Sequence, residues 1–166
     1  MSRNPTPRML IVALAAALSL ALAVGALAAL PTPGKAYTGF TSVTWHGFKA
    51  TVRFNVSSSG KQLLAFKYYN GNCQGMGGPG NPFINNPYLS ATVGTIPVSS
   101  TGTFSVANAK WTSSSADAPT KTTTSTVNGR FTTAKTATGT IHYTQKTSSG
   151  PTGTCGGTLT FTAKTP

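Results

Sequence analysis

Acidic side chains are almost absent from this chain: one residue, Asp117, stands against 13 Lys and Arg in 166 residues, a formal net charge of +12. Glycoside hydrolysis places two carboxylates around the scissile bond, and a single carboxylate cannot supply both roles. A Ser-His-Asp arrangement would have to join Asp117 to His46 or His142, and no Gly-x-Ser-x-Gly elbow is present to carry the nucleophile. Metal binding is poorly provided for, because His46 and His142 are the only imidazoles to add to two cysteines. The glycines from Gly75 to Gly80 come with neither the Lys nor the helix that a phosphate-binding loop requires. These gaps argue against an enzyme and against a cofactor or metal.

A surface so poor in carboxylates cannot neutralise itself through ion pairs, so it should associate with anionic polymers or membranes in a salt-dependent way. Nucleic acid is disfavoured as a specific partner. The basic residues from Lys49 to Lys164 are scattered singly, with no cluster on one element.

The N-terminal residues have the layout of an export signal. Met1 to Arg8 is polar and carries Arg3 and Arg8, Met9 to Leu30 is apolar apart from one Ser, and Pro31-Thr32-Pro33-Gly34 cannot continue a helix. Gly34 and Ala36 are small at the minus-three and minus-one positions of a cut after Ala36; Ala26 and Ala28 offer a second choice. On the first choice residues 1–36 are a signal peptide and 37–166 form one secreted domain, with net charge +9 once Arg3, Arg8 and Lys35 are removed. The alternative is an uncleaved membrane anchor, since an apolar run of that length can span a hydrocarbon layer of roughly 30 Å. Neither an Arg-Arg pair nor a Cys near the cut points to another export route.

Two cysteines in an exported chain, Cys73 and Cys155, favour a single disulfide, and no other intrachain pairing exists. Closing a loop of that length would stabilise the fold by roughly 4 kcal/mol in the chain-entropy model.

Beyond Leu30 no segment shows a helical period. Phe48, Ala50, Val52, Phe54 and Val56 alternate strictly with polar residues, the pattern of a strand with one buried and one wet face. Gln62 to Tyr69 reads as a strand with Leu64, Phe66 and Tyr68 on one face. Further strands are expected at Phe40 to Trp45, Leu89 to Val98, Thr103 to Val106 with or without Ala107 to Trp111, Thr122 to Phe131, Thr138 to Thr144 and Thr158 to Ala163. Thr112 to Pro119 reads as a loop, and Ser113 to Thr126 as either strand or a Thr/Ser-rich stalk. Eight or nine short strands joined by Gly, Ser, Asn and Pro turns point to an all-β, antiparallel β-sandwich, with a closed barrel as the alternative.

Several short patterns recur in one order: Phe54-Asn55-Val56, a strand leading to Cys73, Ile96-Pro97-Val98 before Gly102-Thr103-Phe104, Val127 to Phe131, Ala137 to Ile141, and Cys155. This order resembles a group of secreted bacterial β-sandwich proteins without an established function. The resemblance implies fold and export and carries over no catalytic residue. Gly129 and Gly139 are expected where a strand bends or a neighbouring backbone comes close, with Phe131 and Ile141 facing the core from paired strands.

Binding has more material than catalysis. Tyr68 and Tyr69 are strand neighbours and must point to opposite faces, so one of them should leave the core. Tyr69, Asn72, Gln74, Asn81 and Tyr88, on and around the Gly-rich stretch that holds Cys73, form a candidate ligand-binding patch of aromatic face and amides. The expected function is a secreted, non-enzymatic extracellular module for cell-envelope or extracellular polysaccharide. The alternative is a structural or adhesive surface protein that binds other proteins by strand edges.

Overall fold

Among the described residues apolar and polar side chains alternate along eight antiparallel strands, and these strands join into one sheet rolled almost closed. The computed structural model describes residues 28–45, 48–69, 90–115, 118–147 and 154–166. The strands are β1 (Ala36–Trp45), β2 (Phe48–Val56), β3 (Gln62–Tyr69), β4 (Ser90–Pro97), β5 (Thr103–Ser115), β6 (Ala118–Thr133), β7 (Thr136–Thr147) and β8 (Thr154–Lys164). Their order across the sheet is β4-β3-β2-β1-β8-β7-β6-β5. Each strand therefore pairs with its neighbours in sequence, and β8 returns to pair with β1 along Thr38–Thr41. Only β4 and β5 lack a ladder, touching through the single bridge Val98–Phe104. Among the described residues no helix is long and apolar enough to cross a membrane.

The all-β, antiparallel reading with about eight strands holds, and the expected division into two stacked sheets gives way to one nearly closed barrel-like sheet. The reason lies in the core. Tyr37, Phe54 and Phe66, from β1, β2 and β3, stack face to face at ring-centroid distances of 5.2 and 5.5 Å. Phe131 of β6 meets Tyr37 edge-on at 5.4 Å, and Phe161 of β8 meets Phe66 edge-on at 5.7 Å. Rings from opposite walls thus fill one shared interior. Each buried aromatic contributes about 1.5–3 kcal/mol through area removed from water. Favourable ring geometry adds roughly 0.5–1.5 kcal/mol per pair.

Inward-facing glycines let the walls bend around these rings. Gly129 and Gly139 face each other directly across β6 and β7. A Cβ on Gly129 would meet the Phe104 ring, and one on Gly139 would meet the Asn128 carbonyl. The close approach expected at these two positions is present, and Phe131 and Ile141 are both fully buried on the paired strands.

Two bulges move residues off the expected alternation. Ala65 adopts a positive φ of 50° and the β2–β3 and β3–β4 ladders shift beside it. Leu63 therefore joins Phe66 and Tyr68 in the interior, where the sequence had pointed to Leu64. The second bulge, at Asn108 with φ 54°, lies where the β5–β6 register shifts, and the Asn108 amide donates to Thr126 Oγ1 at 3.2 Å. An extra residue on one strand turns its side chains by one position and increases local coiling, which helps a sheet close.

The stretch expected as a loop is largely strand: β5 runs on to Ser115 and β6 begins at Ala118, with Trp111 opposite Thr123. Lys121 to Ser125 is paired on both sides, to β5 and to β7, and Thr126 to β7, so the stalk alternative does not apply there.

One end of the barrel is closed by tight turns at Ser57–Lys61, Ser99–Gly102 and Ala134–Lys135, with residues 28–35 lying across them. β3 ends and β8 begins at the opposite end, by the antiparallel order. Cys73 lies outside the described residues, as does the side chain of Cys155, which stands in β8 opposite Gln145.

Candidate functional site

A groove of about 970 Å³ opens on the outer face of the barrel, over β1, β8 and β7. Alternation explains its lining. With Ala137, Gly139, Ile141, Leu159, Phe161 and Ala163 turned inward, the residues between them must face out. The outward set is Thr138 and Thr140 on β7 and Thr160 and Thr162 on β8, and the register places Thr138 beside Thr162 and Thr140 beside Thr160. The result is a two-by-two array of hydroxyls on a rigid ladder.

β1 supplies the opposite side. Phe40 pairs with Thr162 across the β1–β8 ladder and points outward, 53 % exposed. Beyond Thr41 the ladder with β8 stops, and the β1–β2 register breaks between Phe40 and Thr44. Beyond that point the Ser42 hydroxyl accepts the Thr160 amide at 3.0 Å. β1 thus separates from β8 just past Thr41 while its end stays paired with β2 at Thr44 and Trp45, and the groove runs over this part of the outer face. Lys49 of β2 holds its ammonium 6.0 Å from the Phe40 ring centroid, and Lys164 lies at the rim.

The chemistry available here is an aromatic face, a bank of hydroxyl donors and acceptors, and two ammonium groups. Among the described residues no carboxylate lines the groove. Among the described residues no group of three or more His, Cys, Asp or Glu is placed to hold a metal ion. His142, expected outward, is exposed on β7 with Nδ1 3.0 Å from Thr158 Oγ1.

A second polar cluster lies inside the barrel toward the end away from the tight turns. The Tyr68 hydroxyl is 2.8 Å from Ser125 Oγ, and the Tyr68 and Tyr143 rings are 5.9 Å apart. Thr123 and Gln145 are buried on the same inner face. Burial pushes the Tyr68 phenol up to about 12; the hydrogen bond to Ser125 opposes that rise and Tyr143 adds to it. With every group sealed from solvent, this cluster reads as internal support for the wall.

Of the residues singled out in the sequence, Tyr69 ends β3 and is 9 % exposed, so both Tyr68 and Tyr69 are covered. Asn72, Gln74, Asn81 and Tyr88 lie outside the described residues, as does Asp117. The groove around Phe40 was missed. Its signal was present in two parallel patterns, Thr136-x-Thr138-x-Thr140 and Thr158-x-Thr160-x-Thr162, each alternating with core residues. Which face Phe40 takes follows from Tyr37 and Gly39, both turned inward on the same strand.

No family model, curated protein or solved structure matches the chain.

Proposed function

We propose that the protein is a secreted, non-enzymatic extracellular module that holds a neutral or anionic polysaccharide of the cell envelope in the Phe40 groove. The observation that carries this reading is the exposed Phe40 ring beside outward threonines. Among the described residues the only large hydrophobic side chains left exposed are Phe40 and Leu30. A flat apolar ring stacks on the C–H face of a sugar, and neighbouring hydroxyls exchange hydrogen bonds with its hydroxyls. Lys49 and Lys164 would add attraction to an acidic sugar, weakened by salt. The rigid two-strand ladder under the threonines keeps their spacing constant, which limits the ordering cost of binding. The missing carboxylates fit retention without cleavage of the glycan.

The test is a glycan array at low ionic strength followed by a salt titration, on the protein and on Phe40→Ala. Retention of an envelope-type glycan that Phe40→Ala weakens about tenfold is expected. No retention on any glycan at low salt sinks the reading.

A second reading, a surface protein that binds other proteins by strand addition, is favoured by one feature. β4 and β5 face each other with only the Val98–Phe104 bridge between them, which leaves backbone groups on both edges without a ladder partner. Pro97 at the end of β4 and the Asn108 bulge in β5 are the kinds of feature that discourage such pairing.

A further inference from the structure

The stretch before β1 is built into the barrel. The Ala29 amide donates to the Phe131 carbonyl at 2.7 Å, and the Thr32 amide and hydroxyl donate to the Ala134 carbonyl at 3.0 and 2.9 Å. The Gly34 amide donates to the Ser57 carbonyl at 3.1 Å, and the Lys35 carbonyl accepts the Val56 amide at 2.8 Å. Pro31 is buried, and the Tyr37 hydroxyl donates to the same Ala134 carbonyl. Ala36 already belongs to β1, opposite Asn55. Residues 29–36 thus form a strap that joins the end of β6, the β6–β7 turn and the β2–β3 turn.

The barrel is shaped to receive this strap. Gly102 takes φ +78° in the β4–β5 turn, and any Cβ there would fall on the Ala29 carbonyl. A turn glycine tolerates that φ wherever it stands. The close approach exists only because Ala29 is there.

We propose that the N-terminal leader is removed by hydrolysis of the Ala28–Ala29 peptide bond, so that the strap remains as the N-terminus of the mature protein. This rests on the export reading above. Ala26-Leu27-Ala28 offers small residues at the minus-three and minus-one positions, as a membrane-bound leader peptidase requires. Water adds to the Ala28 carbonyl carbon and the C–N bond breaks. Ala28 leaves as a carboxylate, and the freed Ala29 amine takes a proton. The new ammonium occupies the position of the amide that bonds the Phe131 carbonyl, so that contact survives as a charge-assisted one. The mature chain then keeps Lys35 and carries 11 Lys and Arg against Asp117, a net +10.

The other small-residue cut, after Ala36, fits the fold badly. It would delete every strap hydrogen bond and leave the Val56 amide without its acceptor. It would also create an ammonium on Tyr37, whose side chain is fully buried in the aromatic stack. A new charge there resists burial, and a strand that starts at a core residue frays at that residue.

The test expresses the full chain, leader included, in a secreting bacterium and reads the released protein by N-terminal sequencing and intact mass. A chain that begins at Ala29 is expected. Ala26→Lys should block processing, and Ala36→Lys, at an exposed strand position, should leave it unchanged. A released chain that begins at Tyr37, or processing blocked by Ala36→Lys and not by Ala26→Lys, overturns the cut after Ala28 while leaving export intact. A chain that stays in the membrane with its leader attached overturns both this cut and the secreted-module reading.

Discussion

The hydroxyl of Tyr68 on β3 meets that of Ser125 on β6 at 2.8 Å, joining two strands that are far apart in the sheet order across the barrel interior. The bond lies among buried side chains, so it acts as a cross-brace between walls that share no ladder.

Tyr68→Phe should remove this brace and leave Ser125 without that partner, lowering stability by about 1–2 kcal/mol. The denaturant midpoint should fall with an unchanged slope. The phenol also gives a pH signature. Its folded-state pKa, pushed up to about 12, lies above an unfolded value of roughly 10. The folded protein therefore holds the phenolic proton more tightly, and the stability this gives is complete below about pH 10 and lost as pH rises toward 12, on the order of 2–3 kcal/mol. Stability measured from pH 9 to 12 should fall less steeply in Tyr68→Phe than in the parent. Parallel pH profiles would contradict the assignment.

Gly39→Ala and Gly34→Ala separate steric exclusion from backbone strain. At Gly39 a Cβ would fall on the Thr162 carbonyl at the β1–β8 ladder, so β1 must move off β8. A loss of about 3 kcal/mol or more is expected, at the upper end of overpacking costs. Gly34 has φ +70° and open space around the Cβ position, so Ala there should cost only about 1–2 kcal/mol of left-handed strain. Equal losses in thermal or chemical unfolding would show that the β1–β8 contact is softer than its geometry implies.

Phe40→Ala should leave stability within about 0.5 kcal/mol of the parent, since the ring is largely outside the core. Glycan retention should weaken about tenfold, a stacking contribution near the upper end of aromatic pair energies. Lys49→Ala should weaken retention at low salt and flatten its salt dependence. Affinity electrophoresis at two ionic strengths reads both effects.

Secreted protein should carry the Cys73–Cys155 disulfide. Its non-reduced mass is expected to be two hydrogens below the reduced mass, and two free thiols would rule the bond out. Cys73→Ser should then cost roughly 2–5 kcal/mol of stability, the usual range for loss of a native disulfide.

Much of the fold was readable in the chain because strand alternation is local. The run from Phe48 to Val56 needs no distant partner to declare its inner face, and Ala50, Val52, Phe54 and Val56 are all buried as expected. The pairing of the two strands that carry Phe131 and Ile141 was visible for a similar reason, since β6 and β7 are joined by a tight turn; that Gly129 stands opposite Gly139 came from the register. Leu63 and Leu64 were exchanged because a bulge at Ala65 shifts the period, and Ala carries no signal for a positive φ. The continuation of β5 and β6 through a Ser- and Thr-rich stretch was hidden, because such residues suit strands and loops alike.

Composition alone determined that the chain is basic and carries a single acidic side chain, Asp117, and periodicity alone determined that it is all-β. Only the tertiary structure decided that the strands roll into one sheet, because that depends on β1 meeting β8 across more than a hundred residues. The same pairing sets Phe40 beside Thr162, and through it the threonines of β7, so the groove exists only once the sheet has closed. The strap follows the same rule. Ala29 to Ala36 reads in sequence as the tail of a leader, and it becomes part of the barrel through carbonyls of Ser57, Phe131 and Ala134 that no local pattern brings near it.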